Sequence, residues 1–316
     1  MGNRVSTPVP MEQVTAPPIP VVVFAYKRLE HLRRTIESLR ANALSSDTDV
    51  VIYCDGAKAR ADLAGVAAVR GYADSIVGFA STTVRARSDN LGLAKSIVNG
   101  VTEMLSKYSA VIVLEDDLLL SQHFLAYMNE AIALYENDAR VASIHAYCFP
   151  VREQVPETFF LRGADCWGWA TWRSAWLRYR PDSQSLLSEL EERRLTREFD
   201  LDDSYPFTQM LRDQIAGRND SWAIRWHASC FLADALTLYP GRSLVHNIGN
   251  DASGTHAAAT DLYSLDVADT PIQVERIDVT PSEAARVAFV AFYRQLKRKR
   301  WLHVFRWRPW WRRMSQ

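Results

Sequence analysis

Residues 111–117 read Val-Ile-Val-Leu-Glu-Asp-Asp, four apolar residues followed directly by three carboxylates. The apolar half is typical of a strand buried in a sheet, whereas adjacent acids are costly to bury without a partner. That partner is expected to be a divalent cation or a ligand, because ligands bind at the carboxyl ends of strands in open α/β sheets. The alternative is a solvated acidic turn before a helix that begins near Ser121, since acids are favourable at helix N-termini.

Strand-like and helix-like segments alternate through the first half of the chain. Short apolar runs predict strands, and apolar residues at three- and four-residue spacing predict helices. The predicted strands are 20–25, 49–54, 81–85 and 110–114, and the predicted helices are 28–40, 91–105 and 123–135. This alternation favours an α/β fold with a parallel sheet and right-handed crossovers. Later segments predict strands at 141–145 and 158–161, and helices within 182–217, at 222–236 and from 282 to about 300.

Length and composition suit a soluble enzyme built on one large α/β domain. The chain has 316 residues, of which 48% are apolar and 23% charged. We expect a proline-rich disordered leader at 1–19, a main domain at 20–280, and a tail at 281–316. No stretch is apolar and long enough for a signal peptide or a membrane span. The four cysteines have no close spacing, which predicts reduced thiols in a cytosolic protein.

Three groups of polar residues follow predicted strands. Arg28 comes after the first strand, Asp55 after the second, and the acid triplet after the fourth. The carboxyl ends of parallel strands meet at one edge, where these side chains would suit a nucleotide. Asp55 would bind the imide N–H of a uracil, and the acids a metal on a diphosphate. Neither Gly-x-Gly-x-x-Gly after the first strand nor Gly-Lys-Ser/Thr is present, which disfavours dinucleotide-binding and P-loop folds.

The acid block resembles the metal-binding segment of GT-A glycosyltransferases, above all the N-acetylglucosaminyltransferase I type and its bacterial family 2-like relatives. The block continues with Leu118, Phe124 and Tyr127-Met128. Four further segments resemble this family in the same order, over residues 20–256. They are Phe24-Ala25-Tyr26-Lys27-Arg28, Tyr53-Cys54-Asp55-Gly56, Trp167-Gly168-Trp169 and Asn219-Asp220-Ser221-Trp222.

The resemblance implies a mixed, mostly parallel Rossmann-like sheet flanked by helices, with a nucleotide-binding half at 20–120 and an acceptor half at 121–280. It implies that Asp117 binds Mn²⁺ or Mg²⁺, that Glu115 and Asp116 contact the ribose and the donor sugar, and that Arg28 and Asp55 contact the nucleotide. Asp220 would be the base that deprotonates the acceptor, with inversion at the anomeric carbon. Asp220 could also be a plain N-cap of the helix that begins at Ser221, and the two roles can coexist.

For the other candidate residues, a purely structural role is the alternative to a role in ligand binding. His256 follows a polar loop and could be a second ligand of the metal or diphosphate, or a solvated loop histidine. Trp167 and Trp169 could stack on a sugar ring, or pack in the core with the nearby Trp172 and Trp176. His145 and His227 lie in apolar surroundings and are predicted to be core residues.

The formal net charge is zero, but the charges are unevenly distributed. Residues 1–283 are acidic overall, and residues 284–316, the tail, are basic. Ten of the 37 basic residues, and none of the 37 acidic ones, follow Glu283. Residues 284–316 also contain Trp301, Trp307, Trp310 and Trp311. Basic residues attract anionic headgroups and tryptophan favours the headgroup level, so the tail predicts contact with an anionic membrane surface. A nucleic-acid site is the rival, but the body is acidic and no recognition fold precedes the tail.

The sequence therefore predicts a metal-dependent glycosyltransferase, cytoplasmic and peripheral on the inner face of the membrane. The resemblance implies that it moves a sugar from a nucleoside-diphosphate sugar, with UDP as the expected nucleotide, to a glycan or glycolipid in surface polysaccharide synthesis. One rival is a nucleotidyltransferase, which would need a Gly-rich, Lys/Arg-bearing loop after the first strand. The other is a catalytically inactive sugar- or membrane-binding protein that has kept the fold.

Overall fold

The computed structural model describes residues 18–249, 263 and 265–306, with the backbone alone described at 298–306. The strands are β1 (Val21–Ala25), β2 (Asp49–Cys54), β3 (Ser81–Ala86), β4 (Ala110–Glu115), β5 (Leu118–Leu120), β6 (Val141–His145), β7 (Thr158–Arg162), β8 (Trp169–Trp172), β9 (Leu236–Pro240) and β10 (Val245–Asn247). The α-helices are α1 (Leu29–Arg40), α2 (Leu63–Ala73), α3 (Leu93–Lys107), α4 (Phe124–Tyr135), α5 (Arg173–Trp176), α6 (Ser183–Glu192), α7 (Thr196–Phe199), α8 (Phe207–Ile215), α9 (Trp222–Leu232) and α10 (Glu283–Arg306).

Within this described part, the central sheet is mixed and mostly parallel. Its order is β3-β2-β1-β4-β8-β6-β9-β7. The first four strands pair in parallel, and so do β6 and β9. The strands β8 and β7 run antiparallel to their neighbours. The predicted α/β class and the mixed, mostly parallel sheet are confirmed.

The burial of the strands follows from their composition. All five residues of β1 (Val-Val-Val-Phe-Ala) are buried, as expected of a strand that lies inside a sheet with both faces covered. β3 lies at the sheet edge and has the more polar sequence Ser-Thr-Thr-Val-Arg-Ala, with no buried residue. The helix α1 buries Leu32, Ile36 and Leu39, the apolar stripe that the sequence predicted.

Several elements differ from the sequence prediction. The helix predicted at 222–236 ends at Leu232, because Asp234 has a left-handed backbone (φ 53°) that turns the chain into β9. The short strands β5, β8 and β10 and the helix α2 were missed. Three or four residues are too few to show a period, and α2 has the low-contrast sequence Leu-Ala-Gly-Val-Ala-Ala-Val-Arg-Gly-Tyr-Ala.

The predicted boundary at residue 281 is not a packing boundary. Phe289, Phe292 and Tyr293 of α10 are buried, and their rings contact Phe149 of the main domain. Residues 283–297 therefore belong to the folded body and not to a separate tail. The rest of the predicted tail has no described side chains, and the predicted leader lies outside the described residues as far as residue 17.

No helix in the described part of the chain is long and apolar enough to span a membrane. All four cysteines are free thiols; Cys54, Cys148 and Cys230 are buried and Cys166 is half-buried.

Candidate active site

The acid triplet lies at a strand end, as the sequence predicts. Glu115 is the last residue of β4, and Asp116 and Asp117 form the turn that leads into β5. Because β4 runs parallel to β1, this turn lies at the carboxyl edge of the sheet. Only 4% of Asp116 and 8% of Asp117 is exposed, so a solvated acidic turn does not describe these residues.

Arg28 is the one arginine that contacts the triplet within the described residues. It follows β1 at the N-cap of α1, and its Nη2 lies 2.7 Å from Oδ2 of Asp117 and also contacts Oδ1 of Asp116. Burial lowers the pKa of Arg28, but the two carboxylate charges outweigh burial and hold this pKa above its usual value. Burial raises the pKa of Glu115, and the charges on Asp117 and Asp116 raise it further. Three crowded carboxylates thus share one arginine, so another cation would relieve the remaining repulsion.

The donor chemistry of the triplet fits a divalent cation. Mn²⁺ and Mg²⁺ prefer carboxylate oxygens, and a magnesium site can consist of one or two carboxylates completed by substrate phosphates and water. Oδ1 of Asp117 accepts no hydrogen bond from the described residues, whereas Oδ2 faces Arg28. The described ranges contain no group of three His, Cys, Asp or Glu residues that could hold a metal alone. The predicted second ligand, His256, lies outside the described residues.

Thr35 fixes the backbone of the acid turn. Its hydroxyl donates to the carbonyl of Asp116 at 2.9 Å and accepts from the N–H of Leu118 at 3.1 Å. Thr35 is fully buried on α1, on the same face as Leu32 and Ile36. Sequence reasoning missed this residue, although a threonine within an apolar helix stripe is a signal of a buried polar contact.

Gly249 lies directly against the carboxylate of Asp117. It follows β10, which pairs with β5, and the N–H of Ile248 donates to the carbonyl of Asp117 at 2.8 Å. A Cβ on Gly249 would collide with Oδ2 of Asp117 and would lie 3.1 Å from a guanidinium nitrogen of Arg28. Any side chain here would therefore displace the ion pair, a constraint that the sequence did not reveal.

Asp55 has a structural role in addition to any ligand role. Its Oδ1 accepts from the N–H groups of Gly56 and Leu91 at 3.0 and 2.9 Å, and its Oδ2 accepts from the N–H of Gly92 at 3.0 Å. The carboxylate thus holds the loop that leads into α3. Oδ2 has one further lone pair, the position left for the predicted uracil N–H.

Asp220 lies just before α9 and is not its N-cap. The N-cap is Ser221, whose hydroxyl accepts from the N–H of Ile224 at 3.3 Å. The carboxylate of Asp220 is 60% exposed and accepts from Arg225 at 3.0 Å and Gln214 at 3.3 Å. The capping alternative for Asp220 is therefore wrong, and its carboxylate is accessible from solvent.

The two tryptophans predicted to stack on a sugar have different environments. Trp169 is 1% exposed, and its ring packs against Trp222, Trp176 and Trp226 at centroid distances of 5.2 to 6.1 Å. The prediction that Trp169 stacks on a sugar is wrong, because β8 turns this side chain into the core. Trp167 is half-buried, lies edge-on to Tyr147 at 4.8 Å, and lines a cavity.

A fourth carboxylate, Asp165, was also missed by sequence reasoning. Burial raises the pKa of Asp165 to about 6, although the N–H of Cys166 donates to its Oδ1 at 2.9 Å. Burial raises the pKa of the Cys166 thiol, and the charges of Asp165, Glu115 and Asp117 raise it further. Segment 165–167 leads into β8, which pairs antiparallel with β4, so this segment runs alongside the acid triplet.

The two histidines predicted for the core differ. His145 is fully buried, and burial lowers its pKa to about 3. His227 is half-buried and lines the same cavity as Trp167. Burial lowers the pKa of His227 to about 4, and its hydrogen bond to Ala164 opposes this shift. Both rings are therefore neutral at pH 7.

The sequence model of the family described as glycosyl transferase family 2 matches residues 21–201, more than half of the chain. The chain belongs to glycosyl transferase family 2. It is a glycosyltransferase, and its sheet with flanking helices is of the GT-A type. The more specific likeness to the N-acetylglucosaminyltransferase I type stays a resemblance.

No curated protein matches the family 2 chain significantly, whereas solved structures do. The mannosyltransferase PcManGT from Pyrobaculum calidifontis, in complex with GDP-Man and Mn²⁺, is 13% identical over 69% of this chain and 70% of that chain, with a TM-score of 0.40. TarS from S. aureus is 15% identical over 47% and 25% of the two chains, with a TM-score of 0.31. Glucosyl-3-phosphoglycerate synthase from Mycobacterium tuberculosis, in complex with Mn²⁺, UDP and glucosyl-3-phosphoglycerate, is 11% identical over 56% and 66%, with a TM-score of 0.33. At these values, the structures carry no assignment of substrate or metal to this chain.

Proposed function

We propose that this glycosyltransferase is inverting and metal-dependent, and that it moves a sugar from a nucleoside-diphosphate sugar to a hydroxyl of a glycan or glycolipid. UDP is the proposed nucleotide, and synthesis of a surface polysaccharide is the proposed context. The observation that carries the proposal is the acid triplet at the carboxyl edge of the sheet, half-buried Glu115 with buried Asp116 and Asp117, with Arg28 as its one contacting arginine in the described chain. An excess of negative charge at this edge suits a cation held together with a diphosphate.

The donor is proposed to bind along the edge formed by β1, β2 and β4. Asp117 would hold Mn²⁺ or Mg²⁺, with His256 as a candidate second ligand. When bound, the metal would neutralise charge on the leaving diphosphate. Asp116 and Glu115 would contact the sugar and the ribose, and Asp55 would accept the uracil N–H on the free lone pair of Oδ2.

Arg28 has two possible partners in such a site. Its ion pairs with Asp116 and Asp117 keep the guanidinium at the point where the diphosphate is proposed to bind. A guanidinium matches phosphate oxygens as well as carboxylates. We therefore propose that Arg28 turns from the carboxylate of Asp117 to the diphosphate when donor and metal bind.

The acceptor hydroxyl is proposed to lose its proton to Asp220. The carboxylate of Asp220 is exposed to solvent and forms an ion pair with Arg225, so an acceptor hydroxyl could reach it directly. Attack from the face opposite the diphosphate would invert the anomeric carbon. Trp167 is the remaining candidate for contact with a sugar ring.

Contact with an anionic membrane surface is proposed for the basic, tryptophan-rich end of the chain, and with it a place on the inner face of the membrane. Because residues 283–297 pack on the body, the membrane contact is proposed for residues 298–316 alone. This part carries seven Lys or Arg residues and four tryptophans without an acidic residue. Such a surface would bring the enzyme to a lipid-linked acceptor.

Titration calorimetry with UDP, in the presence and absence of Mn²⁺, tests the proposed function. We expect affinity for UDP that depends on Mn²⁺, followed by slow hydrolysis of one UDP-sugar from a panel in the absence of acceptor. GDP and its sugars are the matched comparison. Absence of any metal-dependent nucleotide binding would support the inactive binding protein instead.

A further inference from the structure

A cavity of about 300 Å³ lies beside the proposed active site, between β7, α8, α9 and α10. Its walls are mainly aromatic and aliphatic side chains. They include Phe207 and Met210 of α8, Ile224 and Phe231 of α9, and Phe289 and Tyr293 of α10. Pockets of roughly 300–1,000 Å³ with apolar walls and a few polar groups are typical of small-molecule sites.

Two walls of the cavity belong to segments that adjoin the proposed catalytic residues. One wall is segment 165–167, which leads into β8. Because β8 pairs antiparallel with β4 and Trp169 lies opposite Val113, this segment continues alongside the acid triplet. Another wall begins at Ala223, in the first turn of α9 and three residues after Asp220. Neither the acid triplet nor Asp220 lines the cavity, but both adjoin segments that do.

Gly163 directly follows β7, at a position next to the cavity wall where a side chain would not fit. Its backbone is left-handed (φ 97°), and a Cβ here would collide with the ring of His227. The ring of His227 is held by Ala164, whose carbonyl lies 2.7 Å from Nδ1. Glycine at this position thus allows the ring of His227 to remain in the cavity wall.

The charges that line the cavity disfavour an anion. Arg162 is paired with Glu198 at 2.8 Å and with Asp234 at 2.5 Å. Arg286 is likewise paired, with Asp202 at 2.6 Å and with Glu283 at 2.7 Å.

The carboxylate of Asp165 is the lining charge without a cationic partner among the described residues. Its nearest basic group is Nε2 of His145 at 3.8 Å, and that ring is neutral at pH 7. A lipid phosphate would meet two neutralised arginines and one unpaired carboxylate, whereas an uncharged apolar group would meet matching walls.

We propose that this cavity binds the uncharged apolar group of the acceptor, with the acceptor's sugar hydroxyl directed towards segment 165–167 and Asp220. The inference rests on the proposed function, because it names the acceptor class of that same site. At about 300 Å³, the cavity is at the small end of the usual range for ligand sites, which suits a short alkyl chain or a single aromatic ring. Alkyl glycosides and aryl glycosides both carry an uncharged apolar group. The test compares the two classes.

The test uses the full-length protein and the neutral fluorescent probe N-phenyl-1-naphthylamine. Butyl to decyl β-glucosides and phenyl β-glucoside compete for the probe below their micelle-forming concentrations. We expect competition to strengthen by up to about fourfold per added methylene, until the cavity is filled. Decyl phosphate should compete less well than decyl glucoside. Competition that does not depend on chain length, or that is stronger for the phosphate, would overturn the proposal.

Two variants locate the probe site. Met210→Trp places a large ring in the cavity and should weaken probe binding at least tenfold. Ile215→Trp is the matched control, because Ile215 lies on the same helix but is 42% exposed and does not line the cavity. Phe207→Ala enlarges the cavity and should shift the best competitor to a longer alkyl chain. Equal probe binding by Met210→Trp and Ile215→Trp would place the probe elsewhere and refute the assignment.

Binding of UDP with Mn²⁺ is measured on the same samples. If UDP binds and no alkyl or aryl glycoside displaces the probe, the cavity proposal fails and the proposed function stands. If the glycosides bind in the cavity but UDP does not, the proposed function fails and the cavity is not an acceptor site. Once a donor is known, Met210→Trp should raise KM for the alkyl glycoside acceptor, whereas the control Ile215→Trp should leave both that KM and donor hydrolysis unchanged.

Discussion

Nη2 of Arg28 lies 2.7 Å from Oδ2 of Asp117, so the arginine that follows the first strand is paired with the last acid of the triplet. Without nucleotide, this ion pair balances part of the negative charge at the sheet edge. A divalent cation at Asp117 would supply the same balance and would compete with Arg28 for the carboxylate. The pair is thus the point where metal, diphosphate and protein charge are expected to exchange partners.

We predict that Asp117→Asn abolishes metal-dependent binding of UDP, because a neutral amide is a poor ligand for Mn²⁺. The fold should be retained, since the change removes one charge from a repulsive cluster. Calorimetry with UDP and Mn²⁺ measures the effect. Asp213→Asn, at an exposed acid paired with Arg218, is the control and should bind like the wild type. Unchanged affinity in Asp117→Asn would remove the metal from this position.

We predict that Thr35→Val lowers the free energy of unfolding by about 1–3 kcal/mol, because a buried carbonyl and a buried N–H lose their partner. The acid turn should loosen, so affinity for UDP with Mn²⁺ should also fall. Thr35→Ser keeps the hydroxyl and should recover most of the nucleotide affinity. Urea unfolding and calorimetry measure the two effects. Equal nucleotide binding in all three proteins would show that the turn does not need this contact.

We predict that Asp220→Asn lowers turnover by about 10²–10⁴-fold, the usual contribution of a positioned general base. Donor affinity should change little, and so should stability, because exposed ion pairs such as Asp220–Arg225 contribute little. Ser221→Ala is the control, since it removes the helix cap at a cost of about 1 kcal/mol but keeps the carboxylate. If Ser221→Ala loses as much turnover as Asp220→Asn, helix position and not base catalysis explains both.

The fold class and the centre of the site could be predicted because their signals are local. An apolar run that ends in three acids identifies both a buried strand and a charged edge, as for β4 and Glu115–Asp117. By contrast, the pairing of Arg28 with Asp117 joins residues 89 positions apart, and only the parallel pairing of β1 with β4 brings them together. The sequence therefore predicts the negative charge at this edge of the sheet, but not the arginine that pairs with it.

The missed residues depend on tertiary contacts that leave weak traces in the sequence. Gly249 matters because the carboxylate of Asp117 lies directly against it. Asp165 matters because segment 165–167 leads into β8, which pairs with β4 beside the acid triplet. Trp169 was predicted to stack on a sugar because aromatic side chains are common both in sugar-binding sites and in hydrophobic cores. Its contacts with Trp222 and Trp226 come from α9, more than 50 residues further along the chain, and no spacing rule predicts them.

We predict that His145 makes the protein less stable in acid. Its folded pKa of about 3 lies below the unfolded value of about 6.5. The unfolded chain therefore takes up a proton as the pH falls below about 6.5, while the folded protein does not until about pH 3. Among the described residues, the groups that face His145 are Asp165, Tyr147 and Tyr239, and none of these residues forms a hydrogen bond with either ring nitrogen.

His145→Phe should remove this dependence. Between pH 7 and pH 5, we expect the wild type to lose about 2 kcal/mol of unfolding free energy more than the variant. Urea unfolding at both pH values measures the difference, and unchanged m-values show that the unfolded states are comparable. The same slope in both proteins would mean that His145 is not held neutral by burial.

The last prediction concerns residues 298–316. Deletion of this segment removes seven basic residues and all four tryptophans of the tail, but keeps the packed part of α10 up to residue 297. The shortened protein should fold, bind UDP with Mn²⁺ as the full chain does, and lose most of its affinity for anionic vesicles. Vesicle sedimentation measures this, with neutral vesicles as the control. Binding of the full chain should weaken as salt is added, because screening shortens the reach of the basic residues. If the full chain ignores anionic vesicles at low salt, the tail has no membrane role.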